Sequence, residues 1–156
     1  MDISEEAVKN LRKEGINAIR KSSQEMNYKE EFDVVVCSHV LEHIEYQRDL
    51  YKTMKNIYSA LRKGGSLIII GPYLYGFNAW FQYDHVRAFT LTSTIGLIER
   101  FGFKTINKFL FIQSPFQRLW NKFNIRLKCP IKIDYFLKLL AHINLVDGIN
   151  VLSRKQ

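Results

Sequence analysis

Apolar and polar positions along the chain follow two different periods. From 47 to 62 the apolar residues recur at spacings of four, three and four, which predicts a helix with one buried face. The run FDVVVC at 32–37 is continuously apolar after Asp33 and rich in β-branched residues, which predicts a strand covered on both faces. SLIIIG at 66–71 predicts a second strand of the same kind.

The rest of the sequence extends this alternation of strand and helix. Ser4 and Thr90 are cap residues for helices at 4–15 and 90–101, which Gly15 and Gly102 end. Strands are predicted at 16–20, 105–112 and 148–155. Strands alternating with helices predict a parallel α/β sheet, in which ligands bind beyond the carboxyl ends of the strands. The polar residues at those ends are Asp2, Ser22, Ser38, His39 and the pair Gly71–Pro72.

Composition agrees with one globular domain spanning 1–156. The chain has 156 residues, of which 47% are hydrophobic, enough for a proper core. The segment 113–146 breaks the rhythm and is a basic, aromatic-rich insertion before the last strand. The net charge of +8 is compatible with nucleic acid, an anionic lipid surface or a negatively charged substrate. Nucleic acid is the weakest of these interpretations, because no recognition motif accompanies the charge.

Cysteine usage and the absence of sorting signals bear on location. Cys37 and Cys129 match no metal or redox spacing, and Cys37 lies in an apolar run, where a buried free thiol is expected. We find neither a signal peptide nor an apolar run of the roughly 20 residues that cross a bilayer. The expected location is cytoplasmic. The segment 113–146 is a packed pair of cap helices, a surface that rests on an anionic membrane, or a cover that closes over a lipid-linked acceptor.

The segment HVLEH at 39–43 fits the H-x-x-E-H zinc pattern of the inverzincin peptidases. That chemistry needs His39 and His43 one turn apart on a helix, with Glu42 as the base and a further ligand elsewhere. The segment instead follows directly on a predicted buried strand, so His39 lies near a strand tip. We therefore predict no metal site. Glu42 and His43 are expected to form a structural hydrogen-bonded pair.

Four stretches in a fixed order carry a family resemblance. They are FDVVVCSHVLEHI at 32–44, LRKGGSLIIIGP at 61–72, DHVRAFT at 84–90 and IERFGF at 98–103. Over about 1–112 this order and spacing resembles the class I S-adenosylmethionine-dependent methyltransferases of the small-molecule type. The resemblance implies a Rossmann-like α/β three-layer sandwich with a mostly parallel sheet. It also implies S-adenosylmethionine as cofactor and methyl transfer to a small-molecule acceptor, with a lipid-linked compound or a sugar as candidates.

The resemblance assigns cofactor contacts to five residues. Asp2, with Ile3 beside it, stands where the family binds both ribose hydroxyls, and a carboxylate has enough acceptors for a vicinal diol. Ser22 stands where the family often holds the adenine amino group with an acid. Ser38 and His39 stand where the methionine end is lined. The alternative for Asp2 is a solvated helix cap, and for Ser38 and His39 ordinary polar residues at a strand end.

On the acceptor side, His85 is the candidate catalytic base, because the neighbouring Asp84 can orient its ring. A histidine that only anchors the loop is the alternative. The aromatic residues between 73 and 83 suggest either an acceptor pocket or a cover over the sheet edge; they are Tyr73, Tyr75, Phe77, Trp80, Phe81 and Tyr83.

One family element is missing from this sequence. The family's first strand carries a glycine-rich loop of the G-x-G type, and here only Met1 precedes Asp2. We therefore expect a fold truncated at its N-terminus. The alternative function is a non-catalytic methyltransferase-like module, a fragment or degenerate relative that binds a membrane or a partner. A strand edge left open in this way would let the chain form oligomers.

Overall fold

The computed structural model describes residues 1–74, 82–111 and 148–156. The described part has three α-helices, four strands and two 3₁₀ turns, the turns at Ser23–Glu25 and Leu41–His43. The elements are α1 (Glu5–Lys13), β1 (Phe32–Ser38), α2 (Gln47–Ala60), β2 (Leu61–Pro72), α3 (Leu91–Arg100), β3 (Phe103–Phe111) and β4 (Gly148–Lys155).

The four strands form one sheet in the order β1-β2-β4-β3. β1 and β2 are parallel, and α2 connects them. β4 inserts between β2 and β3 and runs antiparallel to both. Three strands therefore point the same way, so the α/β Rossmann-like class is confirmed. The insertion of β4 between two strands that precede it in sequence was not predicted, because local periodicity carries no information on strand order.

The core lies between one face of this sheet and the helices α2 and α3. Alternate residues along β1 and β2 face it, and the register sets Cys37 beside Ile69 and Ile69 beside Val151. The predicted face of α2 meets them with Leu50, Met54 and Ile57, all buried. Burying a side chain of this size stabilises the fold by about 1.5–3 kcal/mol before entropy is counted.

The opposite face of β1 is open in the described part of the chain. Val34 and Val36 are 53% and 57% exposed, although Cys37 next to them is buried. The prediction that this strand is covered on both faces is therefore wrong for the described residues. The apolar run alone did not show this, since a continuous apolar strand has the same pattern whether one face or two are covered. Within the described residues, α2 and α3 pack on the same face of the sheet.

Local capping follows the predictions closely. The Ser4 hydroxyl accepts a hydrogen bond from the Ala7 amide at the start of α1, and the Thr90 hydroxyl accepts one from Ser93 at the start of α3. Two boundaries differ. α2 ends at Ala60, and Leu61 already belongs to β2. The strand predicted at 16–20 is only an isolated parallel bridge between Asp2 and Arg20.

The last strand carries a lysine into the interior. Lys155 is 8% exposed, and its ammonium donates to the Leu61 carbonyl oxygen over 2.7 Å. The same ammonium lies 4.5 Å from the centre of the Tyr58 ring and 3.4 Å from Glu30. A carbonyl, an aromatic face and a carboxylate together replace the water that the charge loses.

Two stretches lie outside the described residues, 75–81 and 112–147. The predicted basic insertion at 113–146 falls within the second stretch. Most of the aromatic residues of the predicted acceptor pocket fall within the first. Among the helices that the structure describes, none combines the length and the apolar character that crossing a bilayer requires.

The glycine after α3 gives the first testable prediction. Gly102 has φ +85°, and a Cβ there would lie 3.2 Å from Tyr58 Cε2, so Gly102→Ala should cost roughly 1–2 kcal/mol of unfolding free energy. Gly96 is the matched control, because it lies inside α3 with nothing within 4 Å of an added Cβ. Gly96→Ala should gain about 0.5–1 kcal/mol. Urea unfolding of both variants measures the difference, and equal effects would contradict this account.

Candidate active site

The carboxyl end of β1 leads directly into the turn that holds several of the candidate site residues. Ser38 is the last residue of the strand and is exposed. His39 follows with φ +51°, in the left-handed region that histidine occupies more often than most side chains. Its amide donates to the Ile70 carbonyl of β2 over 2.9 Å. This bond ties the reversal of the chain to the neighbouring strand and so places the Leu41–His43 turn over the sheet edge.

Glu42 is the buried acid of this turn. Its side chain is 2% exposed, and Oε1 lies 3.1 Å from Nδ1 of His39. Its backbone carbonyl accepts hydrogen bonds from the amides of Val86 and Arg87. The prediction that Glu42 forms a hydrogen-bonded pair with His43 is therefore wrong. The partner of Glu42 is His39, three residues earlier, which precedes the Leu41–His43 turn.

His43 is bonded to the 84–90 segment instead. Its Nδ1 lies 3.2 Å from the Asp84 carbonyl oxygen and 3.3 Å from the Asp84 carboxylate. The His85 ring packs edge-on against the His43 ring, with centroids 4.9 Å apart. The acid beside His85 in sequence thus orients the ring of His43, a contact that only the tertiary structure creates.

Arg87 holds these two segments together. Its guanidinium donates to the carbonyls of Ile44 and Glu45 over 2.7 and 2.8 Å, and to the side-chain oxygen of Gln47 over 3.0 Å. The planar guanidinium has several N–H donors and can bond these three acceptors at once, which suits it better than a lysine ammonium. Sequence reasoning noted the DHVRAFT stretch at 84–90 but assigned no role to this arginine. No local pattern pointed to it, because its acceptors lie 40 to 43 residues away along the chain.

The predicted ribose contact lies on a second, separate segment. Asp2 pairs through its backbone with the 19–21 segment, accepting from Lys21 over 3.0 Å. One carboxylate oxygen already accepts from the Ser4 amide over 2.7 Å, so the helix-capping alternative describes a real contact. Ile3 is 70% exposed beside it. Ser22 follows the bridge and donates its amide and hydroxyl to Glu25.

The hydrogen bonds from Ser22 also change the pKa of the acid that accepts them, Glu25. The backbone and hydroxyl hydrogen bonds from Ser22 lower the pKa of Glu25, because both bonds favour the ionised carboxylate. The predicted adenine-side residue is therefore engaged with its own neighbour. The bridge between Asp2 and Arg20 joins the segment of Asp2 and Ile3 to the one that leads to Ser22. In the turn after β1, His39 contacts Glu42, and His85 packs against His43.

A comparison with protein families matches residues 1–69 to the Methyltransferase domain. The matched stretch includes Asp2, β1 and the whole Leu41–His43 turn. The comparison with curated proteins found no significant match.

Solved structures share the architecture. An S-adenosylmethionine-dependent methyltransferase from Archaeoglobus fulgidus matches 98% of this chain and 73% of its own, with a TM-score of 0.71 and 14% identity. A second, from Mesorhizobium loti, matches 98% and 77%, with a TM-score of 0.67 and 15% identity. Residues 1–69 thus match the Methyltransferase domain, and the fold is the one that these solved methyltransferases share. At this level of identity the structural likeness establishes the fold, and the match to the Methyltransferase domain establishes the family resemblance.

One of these neighbours is a complex with a cofactor product. The N-methyltransferase NodS from Bradyrhizobium japonicum WM9, in complex with S-adenosyl-L-homocysteine, matches 99% of this chain and 64% of its own at 14% identity, with a TM-score of 0.65. The donor set here fits such a molecule: an exposed carboxylate at Asp2 suits a diol, and exposed polar groups at Ser38 and His39 end the parallel strand.

Removing the Arg87 clamp tests how the site is assembled. Arg87→Ala deletes three hydrogen bonds to groups around α2, so the unfolding free energy should fall by roughly 1.5–3 kcal/mol. Arg87→Lys should recover only part of this. The control is Arg62→Ala, which removes an exposed pair with Asp33 and should cost at most about 1 kcal/mol. Chemical unfolding compares the three variants; equal losses for Arg87 and Arg62 would refute the clamp.

Cys37 supplies a second test, because it lies in the core close to the Glu42 turn. Burial, and to a smaller extent the negative charge of Glu42, raises the pKa of this thiol to about 12 from 9.0. At pH 8 the native thiolate population should therefore be on the order of a thousandfold below that of a free thiol. In a Cys129→Ser variant, iodoacetamide should label Cys37 in urea and hardly at all in buffer, as read by mass spectrometry.

The same shift has a consequence for stability. Because the folded pKa lies above the unfolded one, the thiol contributes stability below about pH 9, and this contribution is lost as the pH rises from 9 towards 12. Equal labelling rates in buffer and in urea would contradict the burial of Cys37.

Proposed function

We propose that this chain is an S-adenosylmethionine-dependent methyltransferase that acts on a small-molecule acceptor. The observation that carries the proposal is the Glu42 turn at the carboxyl end of β1, where His39 contacts Glu42 and the ring of His85 packs against His43. The turn lies within residues 1–69, the stretch that matches the Methyltransferase domain. In parallel α/β sheets this edge is where ligands bind. Bound there, S-adenosylmethionine would supply an electrophilic methyl group on a positively charged sulfur.

The cofactor side of the proposal rests on two exposed groups of residues. Asp2 keeps acceptor capacity beyond its bond to the Ser4 amide, and that capacity suits the ribose hydroxyls. Ile3 follows it directly, and Ser22 lies two residues beyond its bridge partner Arg20. Ser38 and His39, exposed at the strand end, would line the methionine portion. These side chains supply binding and orientation, which is most of what a methyl transfer asks of a protein.

The acceptor side of the proposal rests on His85. Its half-buried ring lies against His43, whose own orientation is set by Asp84. A general base is required when the acceptor is a hydroxyl or a protonated amine, and an imidazole at this edge could take that proton. The aromatic residues between 73 and 83 and the basic segment 113–146 favour a sugar or a lipid-linked acceptor.

The same basic segment supports a proposal on location: a cytoplasmic protein that rests on anionic membranes. Positive charge with interleaved aromatic residues is the composition that binds such surfaces. Cosedimentation with vesicles of phosphatidylserine and phosphatidylcholine tests this proposal, and the expected binding should weaken as salt is raised.

Calorimetric titration with S-adenosylhomocysteine tests the function directly. The wild-type chain should bind in the micromolar range, and Asp2→Asn should bind about tenfold more weakly through the loss of one charged hydrogen-bond acceptor, a difference of roughly 1.4 kcal/mol. Asp33→Asn is the matched control. It also removes an exposed aspartate, at the amino end of β1 and therefore away from the proposed site.

Each outcome bears on the two candidate functions. Binding that Asp2→Asn weakens and Asp33→Asn leaves unchanged supports the methyltransferase. A folded wild-type chain that fails to bind the product overturns the proposal for this chain. It would favour the non-catalytic methyltransferase-like module, for which no cofactor is needed.

A further inference from the structure

Three potential metal ligands converge beside the turn at the carboxyl end of β1. One ligand atom each from Glu42, His43 and His85 lie within 4.8 Å of one another. The first two come from the turn after β1, and the third comes from the segment that Arg87 clamps against it. The three ligands therefore belong to two elements that tertiary contacts hold together.

The set of donor atoms is selective. Two imidazoles and one carboxylate are borderline nitrogen and oxygen ligands, the combination that binds first-row divalent cations and leaves open coordination positions. Calcium and magnesium prefer oxygen ligands throughout. Histidine pairs in protein cores usually occur without a metal, so the convergence of three donors needs a second observation in its support.

That second observation is the contact between His43 and Asp84. Metal-bound histidines almost always donate their other ring N–H to a carboxylate or a carbonyl, which fixes the tautomer and the ring plane. Nδ1 of His43 lies within 3.3 Å of both groups on one residue, the Asp84 carbonyl and carboxylate. With the Nδ1 proton donated to Asp84, the lone pair of His43 is on Nε2.

The burial of Glu42 points the same way. A carboxylate that is 2% exposed has lost its water and needs compensation by positive charge or hydrogen bonds. The Oε1 atom of Glu42 is near His39, a residue that is itself 56% exposed. A divalent cation at the cluster would supply strong compensation on the side facing His43 and His85.

We propose that Glu42, His43 and His85 bind a divalent first-row transition cation of the Zn²⁺ type, with Asp84 as the outer partner of His43. Binding of the ion does not depend on the proposed methyl transfer. The catalytic consequence does rest on the proposed methyl transfer. An ion at this site would polarise an acceptor oxygen. His85 would then be a ligand of the ion and would not act as a free base. This arrangement differs from the H-x-x-E-H pattern, which requires His39.

Titration of tag-free, chelator-treated protein with Zn²⁺ alone tests the site. Calorimetry should show one ion bound per chain, and metal analysis after gel filtration should give the same ratio. His43→Ala and His85→Ala should abolish this binding. Asp84→Asn should weaken it by roughly 10–100-fold, the usual effect of losing an outer partner. Circular dichroism confirms that each variant is folded before it is compared.

His39→Ala is the comparison variant, since it removes a histidine of the same turn that is an outer partner of Glu42 and not a ligand. It should weaken binding no more than Asp84→Asn does and keep the ratio of one ion per chain. Binding that survives His85→Ala and disappears with His39→Ala would overturn the proposed ligands in favour of the linear motif. A folded wild-type protein that binds no Zn²⁺ would overturn the site altogether.

The failure of this inference can be told apart from the failure of the proposed function. Zn²⁺ binding without S-adenosylhomocysteine binding would leave the metal site standing and reject the methyltransferase. Binding of S-adenosylhomocysteine without binding of Zn²⁺ would reject the metal site and leave the proposed methyltransferase standing.

Discussion

The site depends on the hydrogen bonds that join the 84–90 segment to the turn after β1. Arg87 bonds three groups around the start of α2, and the Glu42 carbonyl accepts two amides from the same segment. These bonds satisfy backbone carbonyls that the short 3₁₀ turn leaves unpaired. They also place Asp84 beside His43 and His85 against His43. Without this junction His85 would lie on a loop unconnected to the turn that carries His39 and His43.

The sheet explains why the junction lies where it does. The parallel pair β1 and β2 brings two carboxyl ends to one edge, and the His39 amide bonds to β2 across that edge. Packing of α2 and α3 on one face makes this edge rigid, through a core that includes Met54, Ile69 and Ile98. A rigid edge that carries a polar turn is the usual arrangement of an α/β ligand site, because loops gain precision from the strands that hold them.

The open face of β1 has a separate physical meaning. Val34 and Val36 are more than half exposed, and the described sheet ends at β1. An exposed apolar strand at a sheet edge favours pairing with further backbone. Oligomerisation through this edge therefore stays a prediction for the chain.

Local rules determined much of the fold from the sequence. Ser4 and Thr90 cap their helices as expected, Gly102 ends α3 at positive φ, and the face of α2 is buried. Each of these depends on neighbours a few residues away, so the sequence contains the whole cause. The order of the motifs likewise predicted a resemblance that the match of residues 1–69 to the Methyltransferase domain supports.

Tertiary structure decided everything that depends on distant pairs. It set β4 between β2 and β3, left one face of β1 uncovered in the described part, and gave Glu42 to His39 and Asp84 to His43. The sequence had suggested instead that Asp84 orients the ring of its neighbour His85. Side-chain partners across forty-one residues follow from the packing of two segments, and no local period or spacing records that packing.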